Sequence, residues 1–257
     1  MTDQVLSVHN LPADIDPKDL AGSTVIVIDV LRATTTICQA LSAGASDVVP
    51  LVDADEARAA AAAADAAVVL GGERAGGRIS GFDLGNSPAE YTLETVRGRR
   101  VIITTTNGTR ALHHARFARR VLVGAFVNLS AVIDAVEHDS RVDILCAGTD
   151  GGATFEDLLA AGAVVDHLRQ RADAEWSLNE IAQAAQDEWQ ILEFVAERLG
   201  RSLKEQLALE LRDTPGGVNL LGIGLDQDLV DCAQIDRLNI VPELDVPNWR
   251  ITAQRIE

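Results

Sequence analysis

Three consecutive threonines lead from an apolar, β-branched run, Val101-Ile102-Ile103, into Asn107-Gly108-Thr109 and a helix-like segment that begins near Arg110. A strand that delivers hydroxyls and a glycine turn to a helix N-terminus suits an anion. The first helical amides lack intrahelical acceptors, the macrodipole is positive there, and Gly108 lets the backbone approach a ligand closely. Arg110 can add a charge-assisted hydrogen bond. The same residue types also cap helices that bind nothing, so the stretch gains its meaning from its company. Four further polar clusters follow apolar runs: Asp29-Val30-Leu31-Arg32 with three more threonines, Gly71-Gly72-Glu73-Arg74, residues 81–88 with Asn86 and Ser87, and residues 146–157 with Glu156 and Asp157.

Together the clusters offer arginines that clamp phosphate or sulfonate oxygens and carboxylates that suit a hard cation. The combination fits a Mg2+-assisted reaction at a small phosphorylated anion. Asp29, Arg32, Glu73 and Arg74 form the expected catalytic set. Asn86, Ser87, Thr105, Thr106, Asn107, Gly108, Thr109 and Arg110 form the expected substrate-binding set, with phosphate on residues 105–109 and a second anion near Arg32 or Arg74. Asp29 and Glu156 are the first expectation for the metal, with Asp157 and Glu73 behind them. Each cluster also has a plain structural role. Asp29 could cap the following helix, Glu73 and Arg74 could be a solvated pair worth under ~1 kcal/mol, and Glu156-Asp157 could only complement a helix dipole. Five such clusters at successive strand ends are hard to explain by structure alone.

Familiar phosphoryl-transfer motifs are missing. An Asp-x-Asp pair fails because Leu31 stands at its second position, no Cys-x5-Arg loop exists, and neither lysine follows a glycine as a P-loop requires. No serine or cysteine has an evident base partner, so a water activated by the metal is the expected nucleophile.

Strand-like apolar runs at 24–30, 47–51, 66–70, 101–105, 120–124, 142–147 and 235–241 alternate with helical patterns at 33–43, 54–64, 108–118, 129–137 and 155–172, while 177–210 reads as almost wholly helical. Gly44 and Asp53 supply cap residues, and Pro88 opens a short helix. The alternation predicts one α/β domain over 1–257, a three-layer α/β/α fold with a mostly parallel or mixed sheet. Two similar halves would fit the strand count, and a helical segment near 174–225 is the one candidate lobe. In such sheets ligands gather at the carboxyl ends of strands.

The charge balance narrows the partners. Net charge is −17, and the 22 basic residues include only two lysines, Lys18 and Lys204. Nucleic acid is an unsuitable partner because little positive charge is available to neutralise phosphates. The lysine-poor acidity resembles that of proteins from salt-loving organisms. No apolar run approaches the ~20 residues needed to span a bilayer, and the first residues show no signal-peptide pattern; a cytoplasmic protein is expected, and a homodimer is left open. Cys38, Cys146 and Cys232 are far apart and unpaired by motif, which predicts buried reduced thiols.

The blocks VIVIDVLRATTTI, LGGER, GFDLGNSPAEYT, VIITTTNGTRAL, VLVGAFVN, CAGTDGG-x-x-x-ED-x-x-x-AG and the late GG-x-N-L…GL-x-x-D-x-x-x-C-x-x-x-D…VP pattern resemble the 2-phosphosulfolactate phosphatase family, from about Val25 to Pro242. The resemblance implies a Mg2+-dependent acid phosphatase that converts (2R)-2-phospho-3-sulfolactate to 3-sulfolactate, a step toward coenzyme M. It also implies a three-layer α/β/α fold unlike the common phosphatase folds. No family pattern is evident between about 174 and 212.

Overall fold

The computed structural model of the chain describes residues 4–171 and 175–255. In chain order the strands and helices are β1 (Gln4–His9), β2 (Thr24–Ile28), α1 (Ala33–Ser42), β3 (Asp47–Pro50), α2 (Ala54–Ala62), β4 (Val68–Arg74), β5 (Gly77–Arg78), α3 (Leu93–Val96), β6 (Arg100–Thr104), α4 (Gly108–His114), β7 (Arg120–Gly124), α5 (Leu129–Val136) and β8 (Arg141–Cys146). They continue with α6 (Phe155–Arg171), β9 (Trp176–Leu178), α7 (Glu180–Leu199), α8 (Leu203–Asp213), α9 (Pro215–Gly222), α10 (Asp226–Cys232), β10 (Ile240–Asp245) and β11 (Arg250–Arg255).

All strands join one mixed sheet in the order β5-β4-β6-β3-β11-β10-β7-β2-β8-β1-β9. Strand β2 is buried along its whole length, as a strand covered on both faces must be. Its side chains alternate between two cores. Val25 and Val27 pack with Ile37, Leu112 and Val123 on one side, whereas Ile26 and Ile28 pack with Phe126, Val164 and Trp189 on the other. The expected three-layer α/β/α architecture follows directly from that alternation.

The sheet is less uniform than the sequence pattern predicts. Strands β1, β2, β7, β8 and β9 are mutually parallel, as are β3, β4 and β6. Between the two sets lies an antiparallel hairpin, β10–β11, which is antiparallel to β7 on one flank and to β3 on the other. The two sets therefore run in opposite senses. Strand twist accumulates roughly 20–25° per step, so the five steps from β2 to β6 turn the second set by about 100–125°. Polarity reversal and twist together bring the carboxyl ends of both sets to one cleft.

Several boundaries differ from expectation for physical reasons. Residues 4–9 form β1, paired with both β8 and β9, although an exposed-buried alternation of only six residues carries a weak signal. The strand expected at 235–241 begins only at Ile240, because residues 236–238 dock on the α5 approach through backbone bonds to Phe126 and Val127. Strand β11 was not expected at all. The helical run at 177–210 is broken by Gly200, which adopts the left-handed conformation that ends α7. Position 172, to which the expected helix extends, and position 174, where the expected lobe starts, lie outside the described residues. The three cysteines are free and buried. No helix among the described residues is long and apolar enough to cross a membrane.

Candidate active site

Four strand-to-helix connections, the β4–β5 hairpin and one late helix converge on a cleft of about 280 Å3, lined by Asp29, Arg32, Glu73, Arg74, Asn86, Thr105, Thr106, Asn107, Thr149, Asp150 and, from α9, Gly216, Asn219 and Leu220. Asp29 directly follows β2. Its Oδ1 accepts the Ala33 amide at 3.1 Å, and Thr34 closes the turn by donating its hydroxyl to the Asp29 carbonyl at 2.8 Å. Asp29 thus caps α1, as the structural alternative holds, and still faces the cleft. The Leu31–Arg32 peptide that follows is cis.

Behind Asp29 sit two more carboxyl groups from the first turn of α6, Glu156 and Asp157, each 2% exposed. Asp157 accepts the Val30 amide at 2.8 Å and the Gly148 amide at 3.1 Å, one oxygen on each, and so ties the ends of β2 and β8 together. Glu156 differs: its Oε2 is buried with no hydrogen-bond partner. Burial, then repulsion from Asp157, pushes the Asp29 carboxyl up to about 7 against the stabilising Ala33 amide. Asp157 is likewise pushed up to about 7 by burial and then by Glu156, and burial with Asp29 repulsion raises Glu156. Burial disfavours the charged form of all three carboxyls, and each also feels a neighbouring carboxyl.

The opposite wall comes from the β4–β5 hairpin and the threonine turn. Glu73 accepts the Thr106 amide at 2.6 Å and the Gly76 amide at 2.9 Å, one on each carboxylate oxygen, bracing the two segments. Arg74 donates to the Glu73 carbonyl at 2.7 Å, the Val52 carbonyl at 2.9 Å and the Thr104 hydroxyl at 3.0 Å. Arg32 is buried and pairs with Asp228 of α10 at 2.7 Å, its second terminal nitrogen donating to the Gly76 carbonyl at 2.7 Å. Asn86 reaches the cleft with an unpartnered, buried Oδ1.

The expected substrate-binding residues divide. Thr105, Thr106, Asn107 and Asn86 line the cleft. Thr109 turns its hydroxyl to the Thr105 carbonyl at 2.9 Å and its amide to the Thr105 Oγ1 at 3.1 Å, so it closes the turn from behind. Gly108 packs against Asp29 and Ala33. Ser87 donates to Asp228 at 2.5 Å and stands outside the lining. Arg110 is on the exposed side of α4. Asp150, one of the carboxylates of the polar cluster at 146–157, lines the cleft with Thr149, whereas Gly216, Asn219 and Asp228 were not singled out as site residues, although the GG-x-N-L and GL-x-x-D runs carry all three. Nothing in helical periodicity shows that α9 roofs the cleft.

The layered sheet and its strand-end cleft of carboxylates, arginines and hydroxyls define an α/β enzyme of small-molecule type. The sequence profile of the 2-phosphosulpholactate phosphatase family matches residues 9–247. The chain belongs to that family. Among its relatives is a protein named probable 2-phosphosulfolactate phosphatase from Symbiobacterium thermophilum, 40% identical over 227 residues, which are 88% of this chain and 92% of the relative. Proteins of the same name from Clostridium novyi and a Synechococcus strain are 33% identical over 236 residues and 40% identical over 242 residues, covering 94% and 95% of their own lengths and 91% and 92% of this chain.

Proposed function

We propose that the protein is a Mg2+-dependent phosphoric monoester hydrolase that converts 2-phospho-3-sulfolactate to 3-sulfolactate and inorganic phosphate, as in coenzyme M formation. Family membership supports the substrate. The observation that carries the chemistry is the unpartnered, buried Oε2 of Glu156 beside Asp29.

Among the described residues no group of three or more His, Cys, Asp or Glu side chains is gathered to hold a metal ion. Mg2+ does not need one, since it is usually held by one or two carboxylates together with waters and substrate phosphate. Asp29 and Glu156 fit that demand: each is raised first by burial and further by a neighbouring carboxyl, and Glu156 has an oxygen without a donor. Asp157 fits it less well because both of its oxygens already accept amides. When bound, Mg2+ supplies Lewis-acid polarisation of the phosphoryl oxygens.

The remaining work belongs to the chain's own groups. Thr105, Thr106 and Asn107 present hydroxyls and an amide to the phosphoryl oxygens. Glu73 holds the Thr106 backbone in place, and Asn219 closes the cleft from α9. Attack by water on phosphorus forms one P–O bond and breaks the ester P–O bond, leaving the 2-hydroxyl on the product. Phosphate release from 2-phosphosulfolactate, phospholactate and phosphoglycerates, measured under Mg2+ titration for the wild type, Asp29→Asn and Glu156→Gln, tests the proposal. We expect turnover of the sulfonated substrate to be fastest, and each variant to lose it. Turnover that survives both substitutions with an unchanged Mg2+ requirement sinks the metal assignment. Faster turnover of another phosphorylated hydroxy acid moves the substrate, and tight binding without release makes the protein a non-catalytic anion binder.

A further inference from the structure

Two arginines line the cleft, and their surroundings divide the labour between them. Arg32 is 3% exposed, and its guanidinium meets the Asp228 carboxylate, itself 2% exposed, at 2.7 Å. Its second terminal nitrogen is held by the Gly76 carbonyl, and Asp29 lies close enough for the Arg32 charge to act on it. An anion arriving at Arg32 must compete with a buried carboxylate already in place, where the low dielectric makes that pairing strong. Arg74 has no such partner. Three neutral acceptors fix it in place (the Glu73 and Val52 carbonyls and the Thr104 hydroxyl), and among the described residues no carboxylate oxygen lies within 4 Å of its guanidinium. The neighbouring Glu73 carboxylate is turned away onto the Thr106 and Gly76 amides. A guanidinium carries five N–H donors, so these contacts orient the group without using it up. Arg74 is also exposed at the cleft mouth.

We infer that Arg74, and not Arg32, receives the second anionic group of the substrate, a sulfonate or carboxylate, while Arg32 with Asp228 is a neutralised pair that shapes the wall. The inference rests on the phosphatase reading for the identity of the ligand. Its test is calorimetric titration of the full chain with 3-sulfolactate and, separately, with inorganic phosphate, using the wild type, Arg74→Gln and Arg74→Lys. Arg74 is exposed, and a thermal melt of each variant confirms the fold. Losing a charge-assisted contact to a small anion weakens binding roughly 10- to 100-fold. We expect Arg74→Gln to weaken 3-sulfolactate by that factor, Arg74→Lys to fall between, and inorganic phosphate to shift less than about 3-fold. Equal weakening of both probes, no weakening of 3-sulfolactate, or no 3-sulfolactate binding by the wild type overturns the assignment. Phosphate release is read separately: selective weakening without wild-type turnover would leave the anion seat standing and sink the phosphatase reading.

Discussion

Arg32 and Asp228, 196 residues apart in the chain, form an ion pair of 2.7 Å with both side chains buried. The Ser87 hydroxyl occupies the other Asp228 oxygen at 2.5 Å. One carboxylate of α10 thereby joins the loop after β2 to the loop before α3, and the cleft wall depends on a helix distant in sequence.

Removing one partner of such a pair leaves an uncompensated buried charge, which typically costs 3–5 kcal/mol. Asp228→Ala should therefore lower unfolding free energy by about 3–5 kcal/mol in urea titration. Ser87→Ala, which deletes a hydrogen bond and leaves the ion pair, should cost about 1–2 kcal/mol. If Asp228→Ala is as mild as Ser87→Ala, the pair contributes little to the fold.

The buried carboxyls predict an inverted pH dependence. Asp29 and Asp157 sit at about 7 in the fold against an ordinary 3.8. Between those values the folded state holds protons that the unfolded state has released, so stability falls as pH rises from about 4 to about 7. Each group contributes at most about 1.4 kcal/mol per pH unit, and less because the two interact. Melting temperature measured in EDTA should decline across that window, and Asp29→Asn should flatten the decline. Added Mg2+ should raise the melting temperature more at pH 7.5 than at pH 5, because protonated carboxyls do not bind it. A Mg2+ shift of the same size at both pH values, or one that persists in Asp29→Asn, contradicts the assignment.

Gly108 tests how tightly the two parallel sets of strands meet. A methyl group there would lie 2.5 Å from the Ala33 side chain and 2.7 Å from Asp29 Oδ2. Overpacking of this kind usually costs 1–3 kcal/mol. Gly108→Ala should destabilise the protein by about that amount, and it should lower kcat more than KM for 2-phosphosulfolactate because Asp29 is displaced. A variant with wild-type kcat would show that the contact yields without moving Asp29.

Much of the fold was legible because its strands are apolar, β-branched and bounded by glycine or polar turns: β2, β6, β7 and β8 fall within a residue or two of their expected limits. Edge and joining strands were not. Strand β9 has three residues and β5 two, too short for a period to register, and β11 follows a turn at residues 246–249 that nothing marks as a hairpin between two sheet halves. At the site, Asp29, Glu73, Arg74 and the threonine turn were readable because each ends or follows an apolar, strand-forming run. Asp228 and Asn219 were not, since a polar residue on a helix reads as a solvated face until tertiary packing turns it inward. The division between Arg32 and Arg74 was equally hidden. Both are arginines after apolar runs, and only the distant Asp228 distinguishes them.

The acidity of the chain leads to a prediction about salt. With 39 acidic residues against 22 basic ones, intramolecular repulsion should destabilise the fold at low ionic strength, where the screening length is ~30 Å at 0.01 M and ~3 Å at 1 M. Screening also weakens favourable surface pairs such as Arg58–Asp55, whose side chains are 43% and 90% exposed, but such pairs are worth only about 0–1 kcal/mol. The buried Arg32–Asp228 pair is screened far less. Repulsion is therefore the larger quantity that salt removes, and melting temperature should climb from low to molar KCl with activity following it. An acidic protein without this dependence gains little beyond about 0.2 M, where the screening length is already shorter than ~8 Å. A melting temperature that is flat or falling between about 0.2 and 2 M KCl, a range in which screening changes from several ångströms to a few, would refute the high-salt reading and leave the assignments in the cleft untouched.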